Sequence, residues 1–156
     1  MKKILDTELL LTKIDEKTHK KMKFNIEEEM TQLKLEFEYS PKTVIEKKYI
    51  IEAFKEDRCQ MTSEEALFFK DKYLNGNEEL KNLVTLSLYH DNEYIGCAHR
   101  SLDKQKIIIS PEESTPGFKN TRVNQGQWEI VLSIHGLNTN YMNISLKVYV
   151  MQDKYN

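Results

Sequence analysis

A hydrophobic period of two residues returns along most of this chain, and it constrains the fold more than any other feature. It is clearest at Leu33, Leu35, Phe37 and Tyr39, where Lys34, Glu36 and Glu38 fill the alternate positions. Successive side chains of an extended strand point to opposite faces, so the four apolar groups turn to a core and the three charges turn to water. The same period runs through Leu9/Leu11, Met22/Phe24/Ile26, Val84/Leu86/Leu88, Trp128/Ile130/Leu132/Ile134 and Met142/Ile144/Leu146/Val148/Val150, and Ile107-Ile-Ile109 adds a short apolar run. About seven strands are expected. Turn-forming residues separate the later ones at Asp91-Asn92, Thr115-Pro116-Gly117, Gln125-Gly126 and Gly136 to Asn140.

The pattern changes after Ser40-Pro41. A serine can cap a helix and proline suits its first turn, and the spacing of Val44, Lys48, Ile51 and Phe54 then predicts a helix over about residues 42–57. Thr62-Ser-Glu-Glu65 has the form of a capping box, Ala66, Leu67, Phe69, Tyr73 and Leu74 supply a helical stripe, and Asn75-Gly76 supplies a stop. Strands do not alternate with helices, which disfavours a doubly wound parallel sheet. The expected fold is mainly β: an antiparallel, jelly-roll-like β-sandwich forming a single domain over residues 1–156. A helical pair is inserted at about 42–76, too short to fold alone, and is expected to lie on an end or face of the sandwich.

Charge removes several functions. Lys plus Arg is 23 against 25 for Asp plus Glu, a net −2, so no basic field favours nucleic acid. No apolar run approaches the ~18 residues of a membrane span. Asp6 and Glu8 interrupt any signal-peptide core. The expectation is a cytoplasmic protein without membrane contact, with Cys59 and Cys97 as reduced thiols.

Catalytic motifs are weak. His19, His90, His99 and His135 are never paired at metal-ligand spacing, and no metal or cofactor is expected. Ser101-Leu-Asp-Lys104 matches S-x-x-K without its companion motifs, and the pairs Glu64-Glu65 and Glu112-Glu113 sit at element starts or turns. No catalytic residue is assigned, although His99 and His135 are the histidines a hydrolase would use. Thr115-Pro116-Gly117-Phe118 has the residues of a type II turn, which aims Phe118 from a rigid corner. Phe118 and Trp128 are either core aromatics or a partly exposed platform for a sugar or other small ligand, with His99, Arg100 and Arg122 as its polar partners.

The ordered series Leu83-Val-Thr-Leu-Ser-Leu-Tyr89, Tyr94-Ile-Gly96, His99-Arg100, Ile107-Ile-Ile-Ser110, Ser114-Thr-Pro-Gly-Phe118 and Gly126-Gln-Trp-Glu-Ile-Val-Leu132 resembles the N-terminal domain of the CehA/McbA group of PHP-type metallohydrolases. The resemblance covers about residues 20–150 and departs from the group's pattern at His90-Asp91-Asn92-Glu93, at Tyr94-Ile95 and at Arg122-Val123-Asn124. It implies a β-sandwich that in its relatives precedes a metal-binding barrel, and no H-x-H pair of that barrel occurs in the chain. The resulting expectation is a non-catalytic, stand-alone module. It would bind a protein partner, serve a separately encoded hydrolase, or self-associate through a sheet edge or the helices. The alternative is a small-ligand or carbohydrate-binding module.

Overall fold

The computed structural model describes residues 1–55, 60–98 and 102–153. In chain order the elements are β1 (Lys2–Thr12), a 3-10 turn (Lys13–Asp15), β2 (His19–Ile26), β3 (Gln32–Ser40), β4 (Thr43–Val44), α1 (Lys47–Ala53), α2 (Ser63–Asn75), β5 (Leu80–Lys81), β6 (Leu83–His90), β7 (Glu93–Ala98), β8 (Lys104–Ile109), β9 (Gly126–Gly136) and β10 (Tyr141–Met151). The fold is mainly β, as the alternation predicts.

Two four-stranded antiparallel sheets form, in the orders β1-β10-β3-β8 and β2-β9-β6-β7. Leaving aside the β4–β5 ribbon, the pairs are nested: β1 with β10, β2 with β9, β3 with β8, and β6 with β7. This is one long hairpin rolled into a sandwich, the jelly-roll arrangement. Inner-face residues of both sheets, among them Leu35, Phe37, Leu86, Trp128, Ile130 and Leu146, form one core. The outer face follows the polar half of the alternation. Asp6, Lys147, Glu36 and Lys106 lie in register across the first sheet, so each charge has an opposite charge beside it.

Antiparallel order places the loops at two ends. The described residues of 41–82, the turn at 13–18 and the β9–β10 loop gather at one end, where β7 also finishes and β8 starts. The β2–β3 loop, the β6–β7 turn and the β8–β9 loop gather at the other.

Two expectations need correction. The first helix begins at Lys47 rather than near residue 42, because β-branched Thr43 and Val44 pair with Lys81 and Leu80 as a ribbon before the helix starts. An additional strand, β7, occupies Glu93–Ala98, and its partner is β6 through a turn in which Asp91 and Asn92 both have positive φ, as a two-residue hairpin of type I′ requires. The insertion lies at an end of the sandwich, as expected, and its buried residues Val44, Ile50 and Ala66 are not part of the sandwich core. No helix among the described residues is long and apolar enough to cross a membrane.

The insertion is tied to the sandwich by Asn82. This fully buried amide donates to the Pro41 carbonyl at 2.9 Å and to the Thr139 hydroxyl at 3.1 Å, and its oxygen accepts from the Asn138 N–H at 2.6 Å. Both roots of the insertion are thereby fastened to the loop between β9 and β10.

Candidate functional site

The residues singled out for ligand binding do not assemble into one site among the described residues. Phe118 follows the expected turn: its N–H donates to the Thr115 carbonyl at 3.1 Å, and Gly117 has φ of +99°. The turn carries the backbone across Gly96, with bridges from Cys97 N–H to Gly117 O and from Lys119 N–H to Ile95 O. A Cβ on Gly96 would stand 2.5 Å from the Phe118 Cα, so only glycine permits this approach. The phenyl ring is turned inward, with 8% of the residue exposed.

Trp128 is completely buried. It lies in register with Phe24 and His90, and its ring stacks between theirs, with centroids at 6.5 Å and 4.3 Å. Its indole N–H donates to the Asn124 carbonyl at 3.1 Å, which satisfies its one polar atom. Phe118 and Trp128 are therefore core aromatics. The exposed aromatic platform needed for carbohydrate stacking is absent at these two residues.

His99 and Arg100 lie outside the described residues, as do Cys59 and Ser101. Ala98 and Leu102 line a depression of about 140 Å³ together with Thr115, Pro116 and Phe118. That volume is below the roughly 300–1,000 Å³ of most ligand pockets. Arg122 is exposed at the opposite end of the sandwich, beside Glu29, Glu112 and Asp153 in an open depression of about 840 Å³. The fold separates Arg122 from the Ala98–Leu102 side.

The described histidines have local partners. His19 Nδ1 is 2.9 Å from the Ser133 hydroxyl, His135 Nε2 is 2.8 Å from the Thr85 hydroxyl, and His90 Nε2 is 3.1 Å from the Gln125 carbonyl. Among the described residues no group of three or more metal-ligating side chains comes together. Cys97 is a buried free thiol. Thr62 caps α2 by accepting from the Glu65 N–H at 3.2 Å, and Glu64 and Glu65 occupy the first turn, where the helix dipole favours them.

An unexpected surface lies on the helical insertion. Ala66 faces inward, while Leu67 and Phe68 are each 60% exposed and Ile45 is 84% exposed. Leu67 thus departs from the expected inner stripe. A helix turns by about 100° per residue, so the position after Ala66 is carried toward the flank. Between α1 and α2 a groove of about 350 Å³ is lined by Ile51, Phe54, Ala66, Leu67, Lys55 and Lys70. The run Ala66-Leu-Phe-Phe69 is the sequence signal for this surface, because four consecutive apolar residues exceed what one face of a helix can bury.

No family model matches the chain, and no curated protein matches it.

Proposed function

We propose that this chain is a non-catalytic jelly-roll module that binds a partner protein through its helical insertion. The observation that carries this reading is the exposure of Leu67 and Phe68 beside an apolar groove, on an element whose buried residues stand apart from the sandwich core. Apolar side chains clustered in this way mark interaction surfaces. Helix pairs of this kind accept an amphipathic segment laid along their groove. The likeness to the sandwich of CehA/McbA-type hydrolases suggests the partner's class, a separately encoded hydrolase barrel.

The test is affinity capture from native lysate with the wild-type chain and with a Leu67→Asp/Phe68→Asp double variant. The wild type retains a stoichiometric partner and the double variant loses it, while circular dichroism and the thermal midpoint of the variant stay near wild type because both side chains are exposed. Equal capture by both chains, or no stoichiometric partner for either, overturns the reading. The small-ligand alternative has lost its aromatic platform with the burial of Phe118 and Trp128.

A further inference from the structure

We propose that the free edge of β1 is a strand-addition site for an extended partner segment carrying a basic and an apolar residue at alternate positions. An edge strand presents unpaired N–H and C=O groups, and proteins blunt such edges with lysines, short strands or covering loops. Three of the four edges here are blunted. β2 carries Lys20, Lys21 and Lys23 within eight residues. The β7 edge is bridged by the Gly117–Lys119 backbone. The short β8 is engaged by Thr115, whose N–H donates to the Ile108 carbonyl at 2.9 Å while its hydroxyl accepts from the Ile108 N–H at 2.8 Å.

β1 differs. It runs for 11 residues, pairs only with β10, and has no lysine, proline or glycine from Ile4 to Thr12. Among the described residues, no backbone hydrogen bond joins Lys2–Leu11 to any segment other than β10. The strand is long enough for a partner peptide to add along it with ladder hydrogen bonds.

Side chains set the chemistry of the occupant. Glu8, Ser145 and Glu38 form one row across the outer face, and Leu10, Asn143 and Ser40 form a second row on the same face. These six residues line a depression of about 510 Å³. Among the described residues Glu8 has no ion-pair partner, whereas Asp6 is held by Lys3 at 2.7 Å. Leu10 is 67% exposed. An added strand places a residue opposite Glu8 and another, two positions along, opposite Leu10, both on this face. A lysine or arginine at the first and an aliphatic residue at the second complement what β1 presents.

A second copy of the chain pairs poorly in the registers that centre on the middle of β1. Two-fold antiparallel pairing of β1 with itself centred on Thr7 sets Asp6 against Glu8 twice, and pairing centred on Asp6 or Glu8 sets identical carboxylates face to face. Like charges directly opposite destabilise a strand pair. The same carboxylates that disfavour those central self-pairings favour a basic segment.

The probes are two acetylated ten-residue peptides, one alternating lysine with valine and one alternating glutamate with valine, added to the full chain and read by amide hydrogen exchange. The lysine peptide slows exchange of the β1 amides and saturates. Glu8→Lys weakens its binding at least tenfold without lowering the thermal midpoint. The glutamate peptide leaves wild-type β1 unprotected and protects it in Glu8→Lys. The Leu67→Asp/Phe68→Asp chain binds the lysine peptide as wild type does, so this site and the helical surface succeed or fail separately. The proposal is overturned if the lysine peptide leaves β1 amides unprotected, if it protects another strand edge instead, or if Glu8→Lys binds it as tightly as wild type.

Discussion

Replacing Asn82 by alanine removes the clamp at the base of the helical insertion. The substitution deletes three hydrogen bonds and leaves the Asn138 N–H and the Pro41 carbonyl without the partners they have in the native state. Thr139 keeps its bond to the Tyr141 carbonyl, at 2.8 Å. An orphaned buried polar group costs about 1–3 kcal/mol, and two such groups, partly relieved by entering water, give a loss of about 2–4 kcal/mol. For a chain of this size that corresponds to roughly 5–15 °C in thermal midpoint. The assay is urea denaturation followed by the fluorescence of Trp128, the single tryptophan, which is buried in the sandwich.

Asn82→Asp gives a sharper test. It keeps an acceptor for the Asn138 N–H but turns a carboxylate toward the Pro41 carbonyl. Burial and that contact raise the folded-state pKa above its unfolded value of about 3.9. A raised carboxyl pKa means that the neutral form is favoured on folding. The penalty is therefore greatest above the folded-state pKa and is relieved as pH falls through it. A loss below about 0.5 kcal/mol for Asn82→Ala, in a field where buried hydrogen bonds are worth more, refutes the assignment of Asn82 as a clamp.

Other perturbations test separate parts of the fold. Tyr39 is buried with its hydroxyl outside ordinary hydrogen-bond geometry, and burial, then the Asp103 charge, pushes its pKa up; Tyr39→Phe should raise stability by about 1 kcal/mol in the same urea assay. The Lys20 ammonium, at 2.7 Å, and then the Thr12 N–H hold the Asp15 carboxyl below its ordinary range. A depressed pKa stabilises the fold fully above the unfolded value and loses that effect as pH falls through the folded value, so Asp15→Asn costs about 1 kcal/mol at neutral pH and the gap to wild type closes in acid melts. Gly96→Ala forces the Gly117–Phe118 backbone away from β7; a loss of about 2 kcal/mol or more and faster proteolysis of the 110–119 segment are expected.

Strands with one wet face were the most legible. β3 alternates because Leu33, Leu35, Phe37 and Tyr39 are buried while Glu36 and Glu38 face out. β7 carried no such pattern, since Ile95, Gly96, Cys97 and Ala98 are all buried, two of them bridged by the Gly117–Lys119 segment. The first half of β1 was hidden for another reason. Its pairing with β10 shifts between Lys3 and Leu5, and an extra residue there breaks the two-residue period. The turn at Thr115–Phe118 was readable from Pro116 and Gly117, but its direction was not, because that depends on Gly96 admitting the crossing backbone. Asn82 carried no signal at all: one polar residue before a strand reveals nothing until Pro41, Asn138 and Thr139 converge on it.

The segment that pointed to a ligand site has a different task in the fold. Residues 115–119 cover β8 through Thr115 and bridge β7 through Gly117 and Lys119, so the aromatic residue that looked like a binding group belongs to an edge seal. With that side sealed, the surfaces open to contact lie elsewhere. The remaining long edge, β1, has unused backbone groups, and the helical insertion has unused apolar side chains. These two surfaces draw on different physics, ladder hydrogen bonds on one and apolar burial on the other. Their salt dependence should therefore differ: raised salt weakens a contact steered by Glu8 and leaves or strengthens one made by Leu67 and Phe68.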